Sequence, residues 1–396
     1  MKKTRSVIII ALILFATTGC WDRVELNDRA IGHGWGLDLT SDNQYLLSAQ
    51  LTIPSQVKDT SSGGRGKEKK FFVVAGTGKN INQAVQNMQT KVSRILFRGQ
   101  RRAIFVGEEM ARHGIKDVLD IVTRDPTLRL RSNISVVKGM KAIDMLEMSY
   151  PYEPIPSIAS SKIYEFTSGG LVDTSLLDFL VAATSEYDHP IIPVFEMKSY
   201  SQEREKKEEK RLQYAGSAIF SKDLKVIGFL NNNQTRARMW VTSQFKRQTL
   251  IAFNPKGAGN ISVNIVKMKS NIQPVIRKNK VKIYVTLTGK GDVVENNTNL
   301  DLTKWNNFQT VEKALEKDTE TYIYRTIRNV QKIYGADIFG FGEAIYRKNP
   351  NQWERLKNQW DKEFSKADVS VRVKLTIKRI GLTGPPIPLK EEEIKK

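Results

Sequence analysis

The chain holds one cysteine, Cys20, at the end of its first apolar run. Everything after it must fold without an internal disulfide and without a thiolate metal ligand. Its 396 residues, 40% of them hydrophobic, exceed one ordinary core and suit two or three domains. The segment before Cys20 has a different character. Lys2, Lys3 and Arg5 precede ten consecutive apolar residues, Val7 to Ala16. A spanning helix needs about 20 such residues, whereas about ten form the apolar region of an export signal. Residues 1–19 are therefore expected to be a signal peptide.

Thr17, Thr18 and Gly19 lead directly into Cys20. This resembles a bacterial lipoprotein signal. The resemblance implies cleavage between Gly19 and Cys20, transfer of diacylglycerol to the thiol, and N-acylation of the new terminus. A small residue before the cut gives a peptidase access to the backbone, and a thiol is the side-chain nucleophile easiest to alkylate. Acyl chains contribute about 0.8 kcal/mol per buried methylene, so more than one chain anchors firmly. Trp21 follows, and an indole suits the headgroup level.

The net charge is +21, and removing Lys2, Lys3 and Arg5 leaves 21 − 3 = +18. Such a surface attracts polyanions. Export argues against nucleic acid and favours anionic headgroups or wall polymers.

Beyond the anchor, Ile31 to Pro54 reads as a hairpin with its turn at Thr40 to Asn43. Asp59 to Lys70 is expected to be a flexible excursion before a strand at Phe71 to Ala75. Asn80 caps a helix carrying Ile81, Ala84, Val85, Met88, Val92 and Ile95. Ala103 to Val106 and Ile134 to Val137 read as strands. A helix at Ile115 to Val122 stops near Asp125, because Pro126 restrains the residue before it. Ser201 to Leu212 is densely charged and is expected to be a solvated helix or linker at a domain boundary. Ala218 to Phe220 and Val226 to Phe229 form a small hairpin. Ile261 to Met268 and Val281 to Thr288 are alternating strands, with the stretch from Gly289 to Asn299 closing the meander. The longest helix covers about Phe308 to Tyr334, with Gly335 as its cap. Trp353, Leu356, Trp360 and Phe364 make an aromatic stripe read as core, and Val369 to Ile377 is a last strand. The resulting fold class is α+β.

A search for chemistry yields no catalytic set, no metal site and no cofactor. The three histidines, His33, His113 and His189, lie in separate segments. No H-E-x-x-H, G-x-x-x-x-G-K-[ST] or G-x-S-x-G occurs. Gly76-Thr77-Gly78-Lys79 lacks phosphate-loop spacing and reads as a turn before Asn80. Glu108-Glu109 suits a helix start. Arg124-Asp125 beside a proline suits either a recognition site or a helix-end ion pair and cap, and the structural reading is preferred.

The stretch Cys20 to Ala30, with Cys20-Trp21-Asp22 and then Glu25-Leu26, resembles the mature start of the Ger(x)C lipoproteins, the C subunits of spore germinant receptors. Gly99 to Arg129, Ile134 to Leu146, Tyr214 to Ala237 and Gly335 to Phe364 resemble further blocks of that family, in order. The resemblance implies three domains, each a mixed or antiparallel sheet flanked by helices. On these boundaries the chain divides into signal peptide 1–19, N-terminal domain 20–200, small middle domain 201–260, C-terminal domain 261–382 and flexible tail 383–396. It further implies a non-enzymatic, lipid-anchored subunit on the outer face of the inner spore membrane. Its partners would be a multi-span A-type subunit and a transporter-like B-type subunit. Trp21, Asp22, Glu25, Arg124 and Asp125 are family-motif positions without an assigned role. Two other classes are a lipid-anchored solute-binding protein, which needs two lobes of parallel strands around a cleft, and a wall-acting lipoprotein enzyme, which needs a convergent catalytic set.

Overall fold

Backbone groups that leave water must pair, and in this chain most of them pair in two sheets. A computed structural model describes residues 24–53, 70–125, 129–148, 150, 152–153, 155–168, 175–201, 208–245, 247–253, 259–278 and 280–381. Gly19, Cys20, Trp21 and Asp22, nearly all of the loop expected at 59–70, and the tail 383–396 lie outside these residues.

The first sheet contains β1 (Arg29–Leu39), β2 (Tyr45–Thr52), β3 (Phe71–Gly78), β4 (Ile95–Phe97), β5 (Ala103–Gly107), β6 (Asn133–Lys138), β7 (Ile191–Ser201), β8 (Glu208–Phe220) and β9 (Val226–Leu230). Its order is β3-β2-β1-β5-β6-β7-β8-β9, with β4 beside β1. The run β1-β5-β6-β7 is parallel and both flanks are antiparallel. Parallel neighbours require crossover connections. Helices supply them: α1 (Ile81–Gln89), α2 (Glu108–His113), α3 (Lys116–Arg124), α4 (Ala142–Glu147), α5 (Pro156–Ser168) and α6 (Leu176–Thr184).

The hairpin β1-β2 turns as expected at Thr40–Asn43, with Asn43 in the left-handed region at φ 56°. Asn80 caps α1 by accepting from the Gln83 N–H at 2.9 Å. Helix α1 is shorter than its apolar spacing suggests, and Ile95 belongs to β4. Gly76 and Gly78 are strand residues, not a turn. A Cβ on Gly76 would lie 2.3 Å from the Ala84 carbonyl oxygen, so these glycines let α1 approach β3 backbone to backbone.

The charged run requires a larger correction. Its described part is strand: β8 starts at Glu208 and pairs with β7 from Ser201↔Glu208 through Ile191↔Ile219. Leu212 and Tyr214 are buried while Arg211 is exposed, the two-residue alternation of a half-buried strand.

The second sheet has the order β10 (Gln248–Phe253), β11 (Asn260–Arg277), β12 (Lys280–Asn296) and β13 (Asp368–Arg379). The stretch Gly289 to Asn296 continues β12 rather than closing a meander. A Cβ on Gly291 would meet the Asn264 carbonyl oxygen at 2.3 Å, and the register shifts on either side mark bulges. Helices α7 (Asn232–Val241), α8 (Trp305–Ile333), α9 (Phe341–Lys348), α10 (Pro350–Leu356) and α11 (Trp360–Lys366) pack around it.

Helix α8 has 29 residues, about 43 Å. Gly335 ends it at φ +63°, its N–H donating to the Val330 carbonyl at 3.0 Å. The helix also covers the open edge of β13. Glu320, Glu316 and Glu312 accept from the backbone N–H groups of Val373 (2.8 Å), Leu375 (2.8 Å) and Ile377 (3.2 Å). Unpaired edge donors would otherwise be a template for another strand. Trp353, Leu356, Trp360 and Phe364 are buried, as the core reading expects, although a 3-10 turn at Lys357–Gln359 breaks the helix between them.

Residues 201–260 form no sheet of their own among the described residues. β8 and β9 belong to the first sheet and β10 to the second. Ile219 and Leu230 of the first sheet join the same buried cluster as Val263, Val285, Leu315 and Trp353. The strands of the expected middle domain are thus divided between the two sheets, and the architecture is α+β with two sheets flanked by helices.

Candidate functional site

Where the two sheets meet, a cleft of about 1240 Å³ opens between α6, the Ser185–Pro190 loop, α7, the Ser270–Pro274 stretch of β11, and α9. Its walls are held by buried polar groups. Asp337, wholly buried, accepts from the backbone N–H groups of Phe339 (3.0 Å) and Gly342 (2.8 Å) and from Trp360 Nε1 (3.1 Å). Its backbone carbonyl accepts from the His189 N–H at 2.8 Å, fastening the loop to the second sheet's helices. Arg238 on α7 donates through Nε to the Ile338 carbonyl at 2.9 Å and through Nη1 to Gln244. Burial lowers the Arg238 pKa, and the Asp188 and Asp337 carboxylates oppose that shift.

Asp188 faces the cleft in a different condition. Its Oδ1 is inaccessible to solvent and has no hydrogen-bond partner among the described residues. Burial, with the negative charges of Asp337 and Glu343 nearby, pushes its pKa up to about 7 against the pull of Arg238 and Lys222. His189 Nδ1 and Ser270 Oγ, also at the cleft, are likewise buried without hydrogen-bond partners among the described residues. Tyr187 forms part of the wall, its ring 4.9 Å from Tyr346 and 5.1 Å from Trp353. A concave surface with a few fixed polar groups on an apolar framework is suited to holding a polar ligand or an inserted partner segment. Among the described residues no group of His, Cys, Asp and Glu has metal-binding geometry.

The residues named from sequence lie elsewhere. Glu25 is exposed and precedes a 3-10 turn at Leu26–Asp28. Arg124 and Asp125 do not pair with each other. Arg124 forks onto Asp120 one helical turn back, with both contacts at 2.9 Å. Asp125 sits at the α3 C-terminus and pairs with Arg98 at 2.9 Å. Both form ion pairs, with different partners from those expected. Glu108 at the start of α2 pairs with Arg112 and accepts from the Gly139 N–H at 3.0 Å. Sequence reasoning missed Asp188, Arg238 and Asp337. The one local signal is an acid set among apolar residues, as Asp337 is in Ala336-Asp337-Ile338-Phe339.

Residues 22–197 match the family described as "Spore germination protein N-terminal domain", and residues 215–381 match "Spore germination B3/ GerAC like, C-terminal". The chain is 28% identical to "Spore germination protein KC" of Bacillus subtilis (strain 168), over 98% of each chain. It is 25% identical to "Spore germination protein B3" of the same organism, over 97% of this chain and 100% of that one. The crystal structure of the GerBC protein has the same fold, with a TM-score of 0.57 at 20% identity over 90% of this chain and 99% of the other. No helix among the described residues is long and apolar enough to cross a membrane.

Proposed function

The chain belongs to the Ger(x)C family of spore germination proteins, and from that membership we propose that it is the lipid-anchored C subunit of a spore nutrient germinant receptor. It acts by binding and assembly rather than by catalysis. The observation that carries this reading is end-to-end similarity: both family segments occur in order, and relatives named for spore germination align over nearly the whole chain. Cys20 carries the diacylglycerol and N-acyl groups, and Gly19 precedes the cut. The globular body then stands on the outer face of the inner spore membrane beside a multi-span and a transporter-like subunit. The antiparallel flanks of both sheets differ from the paired parallel lobes of a solute-binding protein.

The test is genetic and biochemical together. Deleting the gene in its spore-forming host should abolish or slow germination with at least one nutrient, and the wild-type gene should restore it. The Cys20→Ala variant should fold but leave the membrane fraction on washing with high salt and carbonate. If Cys20→Ala stays bound, the anchor is wrong. If the deletion leaves every nutrient response intact, the receptor role is wrong.

A further inference from the structure

A second cavity lies inside the first sheet's core and shares no lining residue with the cleft. It holds about 50 Å³ and is lined by apolar side chains including Trp35, Leu37, Ile104, Val106 and Leu119, with Arg101 at its wall. Arg101 is only 7% exposed. Its position is fixed by the backbone on both sides. Its own N–H donates to the Arg98 carbonyl at 3.3 Å, and its carbonyl accepts from Ser132 Oγ at 3.0 Å. Next along the chain, the Arg102 N–H donates to the His33 carbonyl at 2.8 Å.

Part of the guanidinium is nevertheless unsatisfied. Among the described residues, Nε and Nη2 are both buried with no hydrogen-bond partner, and so is Nε1 of Trp35, which lines the same cavity. A buried charge without a partner is strongly unfavourable. The neighbouring Arg98 worsens the position by like-charge repulsion, and burial with Arg98 lowers the Arg101 pKa to about 10. Asp125 is paired with Arg98 at 2.9 Å, so two guanidinium groups face one carboxylate. The trio carries one positive charge in excess.

The unpartnered atoms specify the missing group. Nε and Nη2 form the side edge of a guanidinium, whose two parallel N–H bonds match the two oxygens of a carboxylate. The cavity presents bare donors and an apolar wall, which suits a ligand with only acceptors at one end and carbon at the other. Its volume is about one third of the 150 Å³ that admits benzene, which limits the tail to one to three carbons.

We propose that this cavity binds a short aliphatic monocarboxylate, with the carboxylate on the Nε–Nη2 edge of Arg101 and the alkyl group between Trp35, Leu37 and Ile104. An α-amino acid of the same length fits less well, because its ammonium would enter beside an uncompensated guanidinium. This assignment stands apart from the receptor reading and survives or fails without it.

The experiment uses the purified full-length chain in detergent, with acetate, propionate and butyrate as probes. Propionamide, alanine and chloride at equal ionic strength are the comparators. Saturation-transfer NMR should show contact at the propionate methyl. The melting temperature should rise by about 2–5 °C at a hundredfold excess over Kd. The Arg101→Met variant should lose both effects. Should that variant fail to melt cooperatively, Arg101→Lys, which keeps the charge and loses the fork, should weaken binding at least tenfold. No saturation transfer in the wild type would show that Arg101 is served by water only and overturn the proposal. So would equal binding of propionate by the wild type and Arg101→Lys, or binding of propionamide or alanine at least as tight as that of propionate.

Discussion

Asp188 shows how a single residue can be held against its own preference. Its folded pKa of about 7 lies above the ordinary 3.8, so between those values the folded state binds more protons than the unfolded state. Stability contributed through this group is therefore full below about pH 4 and falls as pH rises through 7. Asp188→Asn should remove the penalty. Urea unfolding should find the variant more stable by about 1–3 kcal/mol at pH 8, with the gain gone at pH 4. Equal effects at both values would show that the carboxylate is not the strained group. Local features of this kind were legible where both partners lie within one turn of helix, as at the Asn80 cap and at Gly335. Asp188 was not, because the groups that raise its pKa, Asp337 and Glu343, are about 150 positions away and come near only through the fold. Arg124 and Asp125 show the same limit. An ion pair between them was expected, but Arg124 pairs with Asp120 and Asp125 finds Arg98 from another segment.

Elements were read best where apolar spacing and end signals agree, and worst where charge hid the period. The long helix and the last strand were both visible in sequence, but nothing in either announced that they bond to each other. The acids at 312, 316 and 320 occupy one helix face by four-residue spacing, and their partners at 373, 375 and 377 occupy one strand edge by two-residue spacing. Charge-assisted bonds of this type contribute about 1.5–3 kcal/mol each. Glu316→Ala should lower unfolding free energy by about that amount in chemical denaturation, and Glu316→Gln, which keeps an acceptor, should cost less. Replacing all three by Ala should uncover the strand edge and promote self-association in light scattering. A monomeric triple variant of unchanged stability would show that the carboxylates only decorate the edge. The charged run before Leu212 was misread for a related reason: its high charge density suggested solvent on all sides, whereas its described part pairs as strand and leads into Leu212 and Tyr214, which are buried beside exposed Arg211.

For the whole molecule, the α+β class followed from the order of strands and helices, but the two sheets did not, since one sheet in each of three domains was expected. Nor did the sharing of residues 201–260 between them, because composition marks a boundary near residue 201 where β7 instead pairs with β8 in one sheet. The charge is a property of the same scale. With about +18 after residue 19, the lipid-free protein should bind vesicles rich in anionic lipid and ignore neutral ones. Binding should weaken as salt rises from 0.1 M to 1 M and the Debye length falls from about 10 Å to about 3 Å. Indifference to anionic vesicles at low salt would direct the charge toward protein partners or spore polymers instead. One further consequence lies in the carboxylate row on α8. Strand β13 lies parallel to β12 and is reached after a connection from Asn296 to Asp368, so no tight turn sets how far it slides. Four helical residues advance about 6.0 Å and two strand residues about 6.7 Å, so helix and strand act as the two scales of a vernier. The scales coincide over a short span and then drift apart, and the third contact is already stretched to 3.2 Å beside two of 2.8 Å. A slip by one strand residue would present the wrong edge to every acid at once, so the row holds the final strand against single-residue slips.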